Sequence, residues 1–276
     1  MADRIPPVYL ATAIEAVIRA GDVQLAHLGT ALRVDKKGAI DLVTEIDLRI
    51  EREFREMVAA RFPDHVVLGE EFEGTGDRDA APPYCWVFDP VDGTTNYAHG
   101  LPIFCSSLAL EIDGEIAVGA IYDPTRRELF TAERGEGAWL NGRPLRVSTA
   151  DTLIDSLLVT GFHYGIQRDP EELVSLFREF ITRARAIRRL GSAALDLAYV
   201  AAGRFDGYYE SRIQPWDVAA GALIVREAGG HVTTIQGAPF RSRAGSVLAS
   251  NGRIHAQMLE VIETFAAEER SRKGTP

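Results

Sequence analysis

The sequence predicts a mixed α/β fold, and three of its features carry that expectation. Apolar residues recur at helical spacing in two early stretches, from Val8 to about Leu32 and from Ile46 to Val58. The region from Cys105 to Val147 reads instead as a meander of short strands, with hairpin turns at Asp113-Gly114 and Asn141-Gly142. Beyond about residue 150, strand-like and helix-like runs alternate. A chain of 276 residues, 46% of them hydrophobic, can bury a full core. We expect a single unit over residues 5–268 made of two fused halves, about 5–147 and about 150–268, with a polar tail at 269–276.

In the first helix, Ile14, Val17, Ile18, Leu25 and Leu28 mark the apolar face, and Gly21 interrupts it. Asp35-Lys36-Lys37-Gly38 then reads as a charged turn with solvated lysines. The segment from Asp41 to Asp47 leads into the second helix, which presents Ile46, Ile50, Phe54, Met57 and Val58 on one side and ends at Phe62-Pro63. Thr44 and Asp47 have capping-box spacing, so Asp47 reads first as a cap. His65 to Gly69 is a buried strand ending in Glu70 and Glu71. Adjacent side chains on extended backbone point apart, so at most one of the two enters a shared site. Gly74 to Pro83 has the composition of a surface loop. Trp86-Val87-Phe88 reads as a buried strand that stops at Asp89-Pro90, because Pro has no N–H to continue a ladder. Asp92-Gly93 gives a turn, and Thr94-Thr95 can cap the helix or turn after it.

In the second half, Leu153 to Gly161 is strand-like and a loop runs from Phe162 to Pro170. Pro170 then opens a helix with Leu173, Leu176, Phe177, Phe180 and Ile181 on one side. Ala186 to Ala194 passes from a strand to a small-residue helix start. Such a start suits a phosphate or a hydroxyl-bearing substrate, and it also suits close helix packing, the commoner reason for Gly-Ser-Ala-Ala. Phe205 to Glu210 is a strand ending in a carboxylate. Trp216 to Val225 is an apolar helix capped by Asp217, and Ile254 to Phe265 is a final amphipathic helix.

The net charge of −10 argues against a direct nucleic-acid surface. Cys85 and Cys105 both sit in apolar runs, which indicates reduced thiols and not a disulfide framework. No run reaches membrane-spanning length and the first residues lack a signal-peptide core, so a cytoplasmic protein is expected. Gly135-Glu136-Gly137 lacks the strand before and helix after that a dinucleotide loop requires, and reads as a turn.

Chemistry concentrates at Asp89-Pro90-Val91-Asp92-Gly93-Thr94-Thr95-Asn96-Tyr97. Two carboxylates at a strand end, beside a run of amide N–H groups, can hold a hard cation and an anion together, magnesium and phosphate being the natural pair. The same residues also make an ordinary strand, turn and cap. Further acids stand at strand or helix ends at Glu70, Glu210 and Asp217.

This set, in this order, resembles the magnesium-dependent, lithium-sensitive inositol monophosphatase family. The likeness runs through Lys36, Asp41-Leu42-Val43-Thr44-x-x-Asp47, Gly69-Glu70-Glu71, the Asp89 to Tyr97 motif, Leu190-Gly191-Ser192-Ala193-Ala194 and Trp216-Asp217-Val218-Ala219-Ala220-Gly221. The resemblance implies a layered αβαβα sandwich, a homodimer, and hydrolysis of myo-inositol monophosphate by direct attack of a metal-activated water. It assigns metal binding to Glu70, Asp89, the Val91 carbonyl, Asp92 and Asp217, with two or three Mg²⁺ ions per site and Mn²⁺ as a substitute. Oxygen donors of this kind suit Mg²⁺ at about 2.0–2.1 Å. Glu70 and Thr94 would orient and deprotonate the water, with Asp47 hydrogen-bonded to Thr94. The substrate would be held by Gly93, Thr94, Gly191, Ser192, Ala193 and Glu210, together with Glu70, Val91, Asp92 and Asp217. The spacing separates this reading from aspartyl-nucleophile phosphatases, whose two acids lie two residues apart so that both face one side of a strand. The Phe162 to Pro170 loop departs from the animal enzymes, which leaves other leaving groups open: histidinol phosphate, glycerol 2-phosphate, fructose 1,6-bisphosphate or NADP. Some bacterial members also act in transcription antitermination.

Overall fold

The computed structural model describes residues 4–30, 34–36, 42–72, 82–163, 165–168 and 170–273. Helix α1 (Pro7–His27) starts with Pro at its first position, where the missing N–H costs nothing. It runs unbroken through Gly21 and ends before the expected Leu32. Gly21 is a contact point, not a breaker: a Cβ there would lie 2.6 Å from the Tyr122 ring. Strand β1 (Val34–Lys36) pairs with β2 (Leu42–Thr44), so Asp35 and Lys36 lie in a short antiparallel ribbon where a turn was expected. Lys37, Gly38 and Asp41 lie outside the described residues, as does most of the expected loop after Gly74. Helix α2 (Glu45–Arg61) comes next, then β3 (Val66–Gly69) and β4 (Tyr84–Asp92).

Strand β4 does not stop at Asp89-Pro90. It continues to Asp92 through a β-bulge, in which Asp89 pairs with Ser107 and Asp92 with Cys105, so Pro90 and Val91 together oppose Ser106. A bulge tolerates a Pro that a regular ladder would reject. The Pro90 carbonyl is taken up laterally by Gln24 Nε2 and Ser106 Oγ, each 2.8 Å away.

A short helix α3 (Thr94–Ala98) leads into the meander β5 (Cys105–Ile112), β6 (Glu115–Asp123), β7 (Glu128–Glu133), β8 (Gly137–Leu140) and β9 (Arg143–Pro144). Both expected two-residue turns form with positive φ at each central residue: Asp113 and Gly114, then Asn141 and Gly142. Strands β3 to β9 make one seven-stranded sheet in sequence order, antiparallel except for the β3–β4 pair.

The second half contributes β10 (Leu157–Thr160), α4 (Glu171–Ile181), β11 (Ala186–Arg188), α5 (Ala193–Ala201), β12 (Gly207–Ser211), α6 (Pro215–Glu227), β13 (His231–Thr233), β14 (Ser246–Ser250) and α7 (His255–Lys273). Residues 153–155, expected as strand, form a single 3₁₀ turn. Helix α7 runs eight residues past the expected Phe265 and carries most of the polar tail. The five-stranded sheet has the order β11-β10-β12-β14-β13.

Burial resolves these elements into five layers. Trp86, Phe88 and Val91 of β4 pack with Ala13 and Val17 of α1 and Ile46 and Phe54 of α2. The other face of that sheet, at Cys85, Val87 and Cys105, packs with α5 and α6, whose far side meets Val159, Tyr208 and Val247 of the second sheet. The outer face of the second sheet, at Leu158, Tyr209 and Leu248, is covered by α4 and α7. The αβαβα order is therefore present, with α5 and α6 as the central helical layer. Alternation along β4 decides which side chains face that layer. Trp86 is fully buried on the α1/α2 side, 6.0 Å from the Phe54 ring, and truncating it would cost about 3–5 kcal/mol.

Candidate active site

On a regular strand, residues three apart face opposite sides. The extra residue in the β4 bulge reverses that relation, because Asp89 and Asp92 pair with Ser107 and Cys105, which are two apart on β5. Both carboxylates therefore face the central helical layer, where α6 brings Asp217. Asp89, Asp92 and Asp217 each place an oxygen within 4.8 Å of the others.

Each of the three is held by local backbone. Asp89 Oδ1 accepts from Val91 N at 2.9 Å, inside the bulge. Asp92 Oδ2 accepts from Ser192 Oγ at 2.5 Å and Ala194 N at 2.8 Å, across the junction of the halves. Asp217 is not the cap of α6, as expected, but its third residue: Gln214 is the cap, and its N–H donates to Asp217 Oδ2 at 3.0 Å. Asn96 ties the segment before β5 to the segment before α5 by donating to Ile103 O at 2.8 Å and Leu190 O at 2.9 Å. Gly93 starts α3 at φ 95°, and a Cβ there would lie 2.9 Å from Ile103 O, so both conformation and space require glycine.

The cluster lines a pocket of about 590 Å³. Every expected metal and substrate position lies on its wall: Glu70, Asp89, Val91, Asp92, Gly93, Thr94, Gly191, Ser192, Ala193, Glu210 and Asp217. Glu70 is on the wall but outside the close trio of carboxylates. Asp47 stands behind the wall. Its Oδ1 lies 3.2 Å from Thr94 Oγ1, and its Oδ2 accepts from Thr44 N at 3.0 Å and from Thr44 Oγ1, completing the capping box of α2. Both readings of Asp47, as cap and as partner of Thr94, are thus realised in one residue. Thr94 Oγ1 is also 2.9 Å from Val91 O. The N–H-rich start of α5 is partly committed, since its Ala194 amide and the Ser192 hydroxyl hold Asp92.

Electrostatics singles out the acids. Burial, then Glu70, Asp92, Asp217 and Asp47, push the Asp89 pKa well above the carboxylate range. Burial and the charges of Asp92 and Glu70 do the same to Asp217. For Asp92 burial raises the pKa, and the donors from Ser192 and Ala194 hold part of the rise back. So many buried acids facing one another are compensated when a cation enters, and an all-oxygen donor set fits a hard divalent ion. Glu210, across the pocket, is pushed up to about 7 by burial, opposed by the Tyr208 hydroxyl 2.6 Å away and by Arg189. Gly161 makes room for it: a Cβ there would overlap Glu210 Oε2.

Sequence reasoning missed Asp196 and Arg189 on the pocket wall. Asp196 is 1% exposed, and its Oδ1 has no hydrogen-bond partner among the described residues. The available signal was a charged residue inside the small, apolar run that makes α5.

Residues 7–267 match the inositol monophosphatase family. The chain is 44% identical to an inositol-1-monophosphatase of Synechocystis sp. over 255 residues, 92% of this chain and 88% of that protein. It is 42% identical to Nus factor SuhB of Escherichia coli K12 over 252 residues, covering 90% and 92%. The solved inositol monophosphatase of Anabaena (Nostoc) sp. PCC 7120 superposes with a TM-score of 0.84 at 41% identity, covering 94% of this chain and 96% of that one. Sequence, fold and an acidic cluster suited to a metal agree, and the chain belongs to the inositol monophosphatase family, a family of metal-dependent phosphatases.

Proposed function

We propose that this chain is a Mg²⁺-dependent phosphomonoesterase that hydrolyses myo-inositol monophosphate to inositol and phosphate by direct attack of water. The observation that carries this reading is the close trio of Asp89 and Asp92, both buried, with half-buried Asp217, on one pocket with Glu210. Asp89, Asp92, Asp217, Glu70 and the Val91 carbonyl would hold two or three Mg²⁺ ions, with Mn²⁺ as a substitute. Bound there, the ions supply charge neutralisation of the phosphate and acidification of water.

The chain's own groups do the rest. The Gly93 and Thr94 amides receive phosphate oxygens. Glu70 takes the proton of the attacking water, while Thr94, steadied by Asp47, orients it. Gly191 and Ala193 contact the leaving group, and Ser192 acts by holding Asp92. Glu210, fixed by Tyr208, accepts a hydrogen bond from a hydroxyl of the leaving group.

The test is phosphate release from inositol monophosphate, histidinol phosphate, glycerol 2-phosphate, fructose 1,6-bisphosphate and NADP, with Mg²⁺, with and without Li⁺. Inositol monophosphate should be preferred and Li⁺ should inhibit; full activity after exhaustive chelation would remove the metal from the reading. Glu210→Gln should lower kcat/KM for inositol monophosphate roughly ten- to a hundredfold more than for an aryl phosphate, the worth of one charged hydrogen bond. Equal losses for both substrates would sink the inositol assignment.

We infer a cytoplasmic homodimer from the resemblance to the family; light scattering of the full chain tests the dimer. A second reading rests on the relative of Escherichia coli named Nus factor SuhB: this chain also serves as an accessory protein in transcription antitermination. The net charge of −10 favours contact with basic proteins over direct contact with nucleic acid. Co-purification of an Asp92→Asn variant with RNA polymerase components would separate that role from catalysis.

A further inference from the structure

We propose that Glu51, clamped by Arg55, is a positioning residue that fixes the backbone on both sides of Glu70. This rests on the reading of Glu70 as a group of the metal site. Glu51 lies on α2 one turn after Asp47 and is fully buried. Its Oε2 accepts from Glu71 N at 2.7 Å and its Oε1 from Phe72 N at 3.2 Å, the two amides that follow Glu70. Arg55, a further turn along, donates to Glu51 Oε1 from Nε at 2.9 Å and from Nη2 at 2.7 Å. The same guanidinium reaches Val67 O at 3.2 Å, before Glu70, and Phe72 O at 2.9 Å, after it.

Gly69 completes the arrangement. A Cβ at Gly69 would overlap Glu51 Oε1, so the carboxylate occupies the space of the missing side chain. The Gly69-Glu70-Glu71 motif thus needs its glycine for Glu51, not for a turn. A buried ion pair contributes little net stability compared with apolar packing, so stability alone is a weak reason for this one. Position is a stronger reason. Glu70 shares the pocket wall with Asp89 and Asp217. Charge-assisted bonds from helix α2 to the backbone on either side of Glu70 hold it at that wall.

The experiment uses the full chain carrying Glu51→Gln, which keeps the size but turns an N–H₂ group towards donors. Mn²⁺ titration of the resting protein, followed by electron paramagnetic resonance without substrate, should show affinity weakened about tenfold or more, as for other residues that orient metal ligands. The metal concentration for half-maximal phosphate release should rise alongside, while KM at saturating metal stays within about twofold. Amide exchange at Glu71 and Phe72 should accelerate in a variant whose circular dichroism matches the parent. If Glu51→Gln does not fold, Arg55→Lys keeps the charge, loses the fork, and should show a smaller shift in the same direction. Parental Mn²⁺ affinity in the folded variant overturns the proposal while leaving the site reading intact. A parent chain that binds Mn²⁺ no better than Asp217→Asn overturns both.

Discussion

Helices α2 and α6 begin in the same way and serve the molecule differently. Each has an Asp at its third position whose carboxylate accepts the backbone N–H of the cap residue, Thr44 in one case and Gln214 in the other. In α2 the capped Asp47 is fully buried, both of its oxygens are engaged, and its outward contact is the Thr94 hydroxyl. In α6 the capped Asp217 opens onto the pocket and shares it with Asp89 and Asp92. The same local device therefore ends as a support in one helix and as a prospective ligand in the other. What differs is what lies opposite: the Thr94 hydroxyl at the start of α3 in one case, two acids of β4 in the other.

Substitution at the two positions separates these roles. The largest effect is expected at Asp217. Asn keeps an oxygen for the Gln214 N–H, so Asp217→Asn should leave the melting temperature nearly unchanged while lowering kcat at least about a hundredfold for inositol and aryl phosphates alike. Near-normal turnover would leave Asp217 only its structural bond to the Gln214 N–H. The reverse split is expected at Asp47. Asp47→Ala removes the third-position half of the α2 capping box, worth about 1 kcal/mol, which in a chain of this size lowers the melting temperature by about 2–4 °C. Its turnover should fall about tenfold, because Thr94 keeps its contact with Val91 O and loses only one partner. Losses in the opposite order, with Asp47→Ala the less active protein, would give Asp47 the larger part in catalysis.

A third helix start carries a group of the opposite sign. Helix α7 opens on His255, which is buried between Ser250 Oγ at 2.9 Å and Thr233 Oγ1 at 3.0 Å, with the His231 ring 4.4 Å away. Burial, helped by His231, lowers its pKa to about 4. A helix N-terminus also disfavours a cation, as it favours the carboxylates at α2 and α6. Native His255 is therefore neutral, and its contribution to stability is complete above about pH 6.5. That contribution is lost as the pH falls from about 6.5 to about 4, by up to about 2 kcal/mol. Melting curves across this range should show the loss, and His255→Gln should flatten it. An unchanged slope in the variant would assign the acid sensitivity to other groups.

The parts of the fold that the sequence reveals are those specified locally. Asp113-Gly114 and Asn141-Gly142 predict their hairpins because few residues other than Gly, Asn and Asp accept positive φ at both central positions. The site residues are legible for another reason: each acid alone reads as an ordinary cap or turn, but their order along the chain is distinctive. Where the reading fails, a distant contact overrides a local rule. Pro90 should end a strand, yet Gln24 and Ser106 donate to its carbonyl within a bulge. Gly21 should weaken α1, yet Tyr122 fills its place. Glu51 and Asp196 escape notice because one acid in a helix looks like a solvated face until its burial is known. Nothing near Asp92 in sequence announces that residues 192 and 194 will hold it.

The bulge at Pro90 and Val91 also acts as a lock on strand register. Side chains along a strand follow an odd-even parity, and the bulge is a single change of parity between the two pocket aspartates. Were the same residues to pair without it, Asp92 would slide from Cys105 to a place opposite Phe104. Its carboxylate would then emerge on the α1/α2 side of the sheet, among Trp86, Phe88 and Phe104. An unpaired charge in such surroundings is costly, so the aspartate itself penalises the slipped ladder. Val91 carries the opposite assignment: its backbone lines the pocket, while its side chain packs on the far face. Deleting it would leave both acids on the pocket side, now two apart on a regular ladder, but would take away the backbone between them. Val91→Ile should be borne far better than that deletion. The length of this segment is constrained more tightly than its composition, because the extra residue is what lets one short stretch give the pocket two carboxylates and the backbone between them.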